Sequence, residues 1–230
     1  MKNNIIVCWD LDKTLTDVSW LTDKILNIIL QNNWFDYYKD YINKFRSPEL
    51  EWKPIEYRLK LIFWDELWKT LFLEFTSIKT SENLVPPLFE WIHDVLKETS
   101  DLVHMIVTNK EEKLANQDIR WNDIEWYFYN IVTSWDTWWD DSKLKPSPFL
   151  INHAIKWTDS DTLIMVWDTA ADMNSLLWVT HKNKIWFLAW WGNTKTSLNN
   201  QNSRINKAKE DSIFIIPSIS DIKKILLNYV

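Results

Sequence analysis

Short apolar runs that stop at a polar residue recur along this chain, and segments of helical spacing lie between them. Ile5 to Trp9 is the first run and it ends at Asp10, the pattern of a parallel strand buried on both faces. Between Asp17 and Val85 the pattern changes: apolar residues return at helical spacing over residues 19–31 and 55–75, with no convincing strand. Pro86 and Pro87 punctuate a boundary, and residues 88–99 read as an amphipathic helix. Strands are then predicted at 102–107, around Ile131 and Val132, and at 163–167, 184–188 and 213–216. Helices are predicted between them at 110–120, 148–156 and 170–177, with a last one at 219–229. Residues 193–211 are polar and lack apolar periodicity, so they read as a long surface loop. Alternation of strand and helix predicts an α/β fold, a parallel sheet with helices on both faces. The helical stretch after the first strand is then an insertion. Its expected bounds are 18–87, leaving 1–17 and 88–230 as the sheet-bearing core.

Composition alters one part of this picture. The 230 residues hold 18 tryptophans and one glycine, where an ordinary chain of this length carries roughly 16 glycines. Several tryptophans stand where a backbone wants no Cβ: Trp167 before Asp168 at a strand end, and Trp135 and Trp138 in S-W-D-T-W. The expectation is that many of these codons are UGA, meaning glycine in the source and read as tryptophan. Aromatic content is therefore no argument for base stacking. The net charge of −6 comes from interspersed lysines and acids, which speaks against a nucleic-acid partner and for a small-molecule substrate. Cys8 is the only cysteine and sits in an apolar run, so a buried structural thiol is expected. Neither a signal peptide's apolar stretch nor a run of 18 apolar residues occurs, and a cytoplasmic location without membrane contact is expected.

Four pieces carry candidate chemistry, each at or just past a strand's carboxyl end, the edge where open α/β sheets bind ligands. In D-L-D-K-T-L-T-D, Asp10 and Asp12 leave the strand together and can share a cation, or divide attack and proton transfer between them. Acid pairs of this spacing also occur in solvated loops. In I-V-T-N-K, Thr108 can start a helix, its hydroxyl and the following N–H groups holding a phosphoryl oxygen, or it can be an ordinary helix cap. In K-L-K-P-S-P, Lys145 or Lys143 can present a positive charge to a dianion, or be solvated. In V-W-D-T-A-A-D, Asp168 and Asp172 lie one helical turn apart and suit Mg²⁺, or merely decorate a helix N-terminus.

Together these pieces resemble the haloacid dehalogenase superfamily, whose phosphatases carry D-x-D-x-T, a Ser/Thr, a Lys and G-D-x-x-x-D in this order. The resemblance implies a Rossmann-like core with the helical insertion as an all-helical cap. It further implies a Mg²⁺-dependent phosphatase of small phosphomonoesters, similar to phosphoglycolate phosphatases. Asp10 would then be the nucleophile and Asp12 the acid and base. Mg²⁺ would be held by Asp10, the backbone carbonyl of Asp12, and Asp168, with Asp172 ligating or supporting. Thr108 and the Asn109 backbone would bind the phosphoryl group and Lys145 would neutralise it; the K-P-x-P form favours Lys145 over Lys143. A sugar phosphomutase of the β-phosphoglucomutase type, or a non-catalytic binding protein on the same scaffold, are the alternatives. Two positions depart from the pattern: Lys13 and Trp167 stand where relatives carry glycine.

Overall fold

The computed structural model describes residues 5–18, 20–33, 38–47, 49–50, 53–63, 66–81, 84–138, 140–179, 181, 183–189, 213–216 and 219–228. Its centre is one six-stranded sheet: β1 (Ile5–Trp9), β2 (Val103–Val107), β3 (Phe128–Val132), β4 (Thr162–Trp167), β5 (Asn183–Ala189) and β6 (Ile213–Ile216). The strand order is β3-β2-β1-β4-β5-β6, and every pairing is parallel. Since β1 lies between β2 and β4, the chain winds outwards on both sides of it. That reversal opens a crevice at the carboxyl ends of the central strands.

Pleating divides β1 between two cores. Ile5, Val7 and Trp9 join the apolar cluster that also holds Ile92, Val95, Ile119 and Ile222. Ile6 and Cys8 face the opposite side and pack with Met105, Leu150, Met165 and Leu176. Side chains of period two explain why a strand buried on both faces is apolar at every position. Burial pushes the Cys8 thiol up to about 12, against the pull of Lys145, as expected of a structural cysteine. The helices on these faces are α5 (Ile92–Glu98), α6 (Glu112–Trp121), α7 (Phe149–Ile155), α8 (Ala170–Leu177) and α9 (Ile219–Leu227).

Four helices lie between β1 and α5: α1 (Leu21–Asn32), α2 (Tyr38–Phe45), α3 (Ile55–Ile62) and α4 (Leu67–Ser81). Leu26, Ile29, Leu59, Leu71 and Phe75 are among the buried side chains of their own apolar cluster. Leu114, from α6, is also part of that cluster, so the insertion packs on the helix that follows β2. The sequence pattern predicts one helix over 55–75. The structure instead breaks it at Phe63, whose backbone is extended, and resumes at Leu67. The short α2, rich in charge, lies where no element is predicted. A second correction concerns Thr108, which does not start a helix. Glu111 is the N-cap of α6, its carboxylate accepting from the Lys113 and Leu114 amides. The predicted loop at 193–211 lies outside the described residues. No helix among the described residues is long and apolar enough to cross a membrane.

A buried polar pair ties β1 to β2. Trp9 Nε1 donates to His104 Nδ1 at 3.0 Å, and His104 Nε2 lies 2.9 Å from the Thr99 carbonyl oxygen. A carbonyl can only accept, so Nε2 carries the proton and the imidazole is neutral. Burial pushes its pKa down to about 4, with the bond to Thr99 opposing the fall.

Candidate active site

The register of β1, β2 and β4 brings the predicted pieces to one place. The Asp10 amide donates to the Val166 carbonyl at 2.9 Å, extending the ladder one residue past β1. The Thr108 amide does the same towards Val132 on the other side, at 3.0 Å. Asp168 follows β4 directly, and Asp172 sits in the first turn of α8. Carboxylate oxygens of Asp10, Asp168 and Asp172 all lie within 4.8 Å of one another.

Lys145 stands among these acids. Its Nζ donates to Asp10 Oδ1 at 2.5 Å, to the Val107 carbonyl at 2.9 Å and to Asp172 Oδ1. Burial works against this ammonium, but Asp10 and Asp172 outweigh it and raise its pKa. Burial likewise pushes the Asp10 carboxyl up to about 7; Lys145 pulls it down and Asp172 adds to the rise. Lys143 stays outside the cluster, ion-paired with Asp140 and placed over the Phe149 ring.

Three carboxylates cluster here, two of them on the Lys145 ammonium, and their hard oxygens are the donor chemistry of a Mg²⁺ site. Asp10 and Asp168 fit such an ion directly. Asp172 is already oriented by Lys145 and by the Thr169 hydroxyl, which donates to its Oδ2. The Asp12 carboxylate is not part of this group. It is half-buried and turned to Lys110, with which it forms an ion pair. Burial alone would raise the Asp12 pKa, but Lys110 overrides it and holds the carboxyl below its usual range.

Thr108 and Asn109 are buried beside these groups, and both line the cavity in front of Asp10. Asn109 does something the sequence did not reveal. Its side chain accepts from the Lys145 amide at 2.8 Å and donates to the Lys145 carbonyl at 3.0 Å, clamping that loop to the end of β2. Lys110 and Thr169 were likewise missed. Lys110 stands next to Thr108 and Asn109, but its partners Asp12 and Asp118 are not visible from spacing.

Backbone angles bear on the unusual residues. Lys13, Trp91 and Trp138 adopt φ of 64°, 73° and 55°, the left-handed region that favours glycine. Trp138 is 76% exposed. Trp167 is fully buried in the second core, and its Nε1 has no hydrogen-bond partner among the described residues. Trp9 is equally buried but its N–H is satisfied by His104.

The sequence of residues 7–176 matches the model of the haloacid dehalogenase-like hydrolase family. No curated protein matches the chain in sequence. Similar solved structures include a candidate phosphoglycolate phosphatase from Lactobacillus plantarum, 14% identical with a TM-score of 0.71, each chain covered to 100%. The candidate HAD-hydrolase YfnB from Bacillus subtilis, bound to magnesium, is 13% identical with a TM-score of 0.70, over 98% of this chain and 100% of that one. A candidate β-phosphoglucomutase from Thermotoga maritima is 14% identical with a TM-score of 0.64, over 97% of this chain and 96% of that one. These likenesses are of fold, and the family match covers both D-L-D-K-T and the Asp168–Asp172 pair: the chain belongs to the haloacid dehalogenase-like hydrolase family.

Proposed function

We propose that this hydrolase is a Mg²⁺-dependent phosphatase that cleaves a small phosphomonoester through an aspartyl-phosphate on Asp10. The observation that carries the reading is the meeting of Asp10, Asp168 and Asp172 within 4.8 Å, with Lys145 Nζ 2.5 Å from Asp10 Oδ1. The cavity before them measures about 160 Å³, below the usual range for drug-sized ligands, and so suits a small metabolite.

In this reading an Asp10 oxygen attacks phosphorus while the ester oxygen leaves with a proton from Asp12. Asp12 then takes a proton from water, which attacks the aspartyl-phosphate and releases inorganic phosphate and free Asp10. Thr108 and the Asn109 backbone hold the phosphoryl oxygens, and Lys145 offsets their charge. A Mg²⁺ held by Asp10, Asp168 and the Asp12 carbonyl, with Asp172 ligating or supporting, would supply further charge neutralisation when bound.

In the substrate-free protein burial raises the Asp10 pKa and Lys110 lowers that of Asp12, each a shift away from the form in which that residue acts. Ligands correct both. A cation beside Asp10 favours its ionised form, and a phosphate dianion arriving beside Asp12 favours the protonated one.

Residues 18–87 serve as the cap over a core of 1–17 and 88–230. Phe45, Lys53 and Arg58 of that segment line the cavity wall facing Asp10, so its closure would exclude water during attack. A second reading, a sugar phosphomutase, draws on the fold shared with the Thermotoga maritima protein. Phosphate release from an aliphatic phosphomonoester, dependent on Mg²⁺ and needing no bisphosphate activator, supports the phosphatase. Release that requires such an activator supports the mutase, and no release under either condition overturns both.

Glycine in place of tryptophan is part of the same proposal. At 91 and 138 the backbone is left-handed, costing a residue with a Cβ about 1 kcal/mol. At 167 the buried indole N–H lacks a partner, which costs about 1–3 kcal/mol. UGA is expected at these three codons and UGG at codon 9; UGG throughout would defeat the idea.

A further inference from the structure

A second run of ionic side chains leaves the site and ends inside the helical insertion. Asp12 pairs with Lys110, and Lys110 Nζ stands 2.5 Å from Asp118 Oδ2 as an ion pair, not a well-angled hydrogen bond. Lys79 Nζ donates to Asp118 Oδ1 at 2.7 Å. Asp118 is 0% exposed, Lys79 3% and Lys110 8%, so three of the four charges are out of water. Their signs alternate and cancel. They come from four separate places: the loop after β1, the turn after β2, the middle of α6 and the last turns of α4.

Each member has a reason to depend on the next. A lysine stem carries about 2 kcal/mol of rotamer entropy, so one exposed carboxylate holds it weakly. A second, immobile carboxylate fixes it. Asp118 is that carboxylate, and burying it alone would cost several kcal/mol; Lys79 supplies the opposing charge. Burial pushes Lys79 down to about 8, the neighbouring Lys110 adds to the fall, and Asp118 opposes it. The insertion's exit is fastened to the same helix. The Lys79 carbonyl accepts from Gln117 Nε2 of α6 at 3.4 Å, and Asn122 Nδ2, just past α6, donates to the Pro86 carbonyl at 3.0 Å. Leu114 of α6 meanwhile packs in the insertion's apolar cluster.

We propose that Lys110, braced by Asp118 and Lys79, is a positioning residue that aims the Asp12 carboxyl at the leaving oxygen. Through Lys79 this aim depends on how the insertion is seated on α6. The inference rests on the role given to Asp12 above, and its test separates the two. A nitrophenolate departs without needing a proton, whereas an alkoxide needs one, so a misaimed acid slows the second and spares the first.

The experiment compares kcat/KM, which ends at release of the alcohol and so excludes the hydrolysis common to both substrates, on p-nitrophenyl phosphate and on the best aliphatic phosphomonoester of a metabolite panel, at saturating Mg²⁺. Asp12→Asn should lose about 10²–10⁴-fold in kcat/KM on the aliphatic substrate and far less on the aryl one. Lys110→Met should show the same selectivity, losing tenfold or more in kcat/KM on the aliphatic substrate and far less on the aryl one. Lys110→Arg should recover part of the loss, and Lys79→Met should shift the ratio in the same direction by less. Equal losses on both substrates in a folded Lys110→Met protein would make the chain merely structural and overturn the inference. Should that variant fail to fold, Lys110→Gln and Lys79→Met read the same ratio and decide. Equal losses in Asp12→Asn would remove the role of Asp12, and the inference with it. Selective loss there without selective loss at Lys110 overturns this inference alone.

Discussion

Two lysines meet carboxylates beside the end of β2, and their surroundings differ in one respect that separates their tasks. Lys110 comes from the turn after that strand, and Lys145 from the loop before α7, well past the end of β3 where its piece was expected. Lys145 faces three carboxylates, Asp10 and Asp172 directly and Asp168 beside them. Lys110 lies in a chain of two acids and two lysines that cancel. A group with an excess of negative charge attracts a cation and a phosphoryl dianion only together, since each offsets the other. A neutral, buried chain attracts neither; it holds side chains in place. Local charge balance thus distinguishes the groups around Lys145, which bind charge, from the chain behind Lys110, which holds Asp12 in place.

The largest expected effect comes from removing the reacting group. Asp10→Asn should lower turnover by at least about a thousandfold while far-ultraviolet circular dichroism stays that of the parent. Retention of near-normal turnover would break the comparison outright. Lys145→Met comes next. It leaves Asp10 and Asp172 buried without their ammonium and should destabilise the metal-free protein by about 3 kcal/mol or more, read by denaturant unfolding. Mg²⁺ should restore more of that loss than it adds to the parent, because a cation can take over the compensation.

The pH dependence of stability sharpens the contrast. Asp10 has a folded pKa raised from 3.8 to about 7, so between these values the native state binds the extra proton. Its contribution is present at low pH and is lost as pH rises through 7. His104 has the opposite sign: its folded pKa of about 4 lies below the ordinary 6.5, so its contribution is full above 6.5 and lost as pH falls through 4. That contribution amounts to about 3 kcal/mol. Metal-free Asp10→Asn should therefore be more stable than the parent at pH 7 by at least about 1 kcal/mol, with its stability falling more steeply on acidification from pH 7 to 4. Thermal unfolding at several pH values measures both.

The smallest effect concerns the helix that carries Asp118. Glu111 caps α6 through the Lys113 and Leu114 amides, and Glu111→Ala should cost about 1 kcal/mol of stability. The same variant should shift the aliphatic-to-aryl rate ratio only slightly.

Much of this arrangement is legible in the sequence, for definable reasons. Strands such as Ile5–Trp9 and Thr162–Trp167 are buried on both faces and therefore apolar throughout, and each ends where a carboxylate must leave the sheet. Asp10, Thr108 and Asp168 follow from those ends, whereas Lys145 lies in the loop before α7 and is marked only by its K-P-x-P setting. Lys110 and Asp118 do not, because their other partners, Asp12 and Lys79, lie 98 and 39 positions away and leave no local pattern. The helix break at Phe63 was hidden by apolar residues that continue at helical spacing across it. Thr108 resembles a helix start in the sequence because the actual cap, Glu111, is an unusual capping residue.

The most direct measurement is to quench the working protein with acid after mixing it with Mg²⁺ and a radiolabelled phosphomonoester, then reduce it with borohydride and map the peptides. The account predicts transient label on the protein and conversion of residue 10, and no other aspartate, to homoserine, with neither event in Asp10→Asn. Label at a different residue, or rapid turnover with no labelled protein at any time, would contradict it.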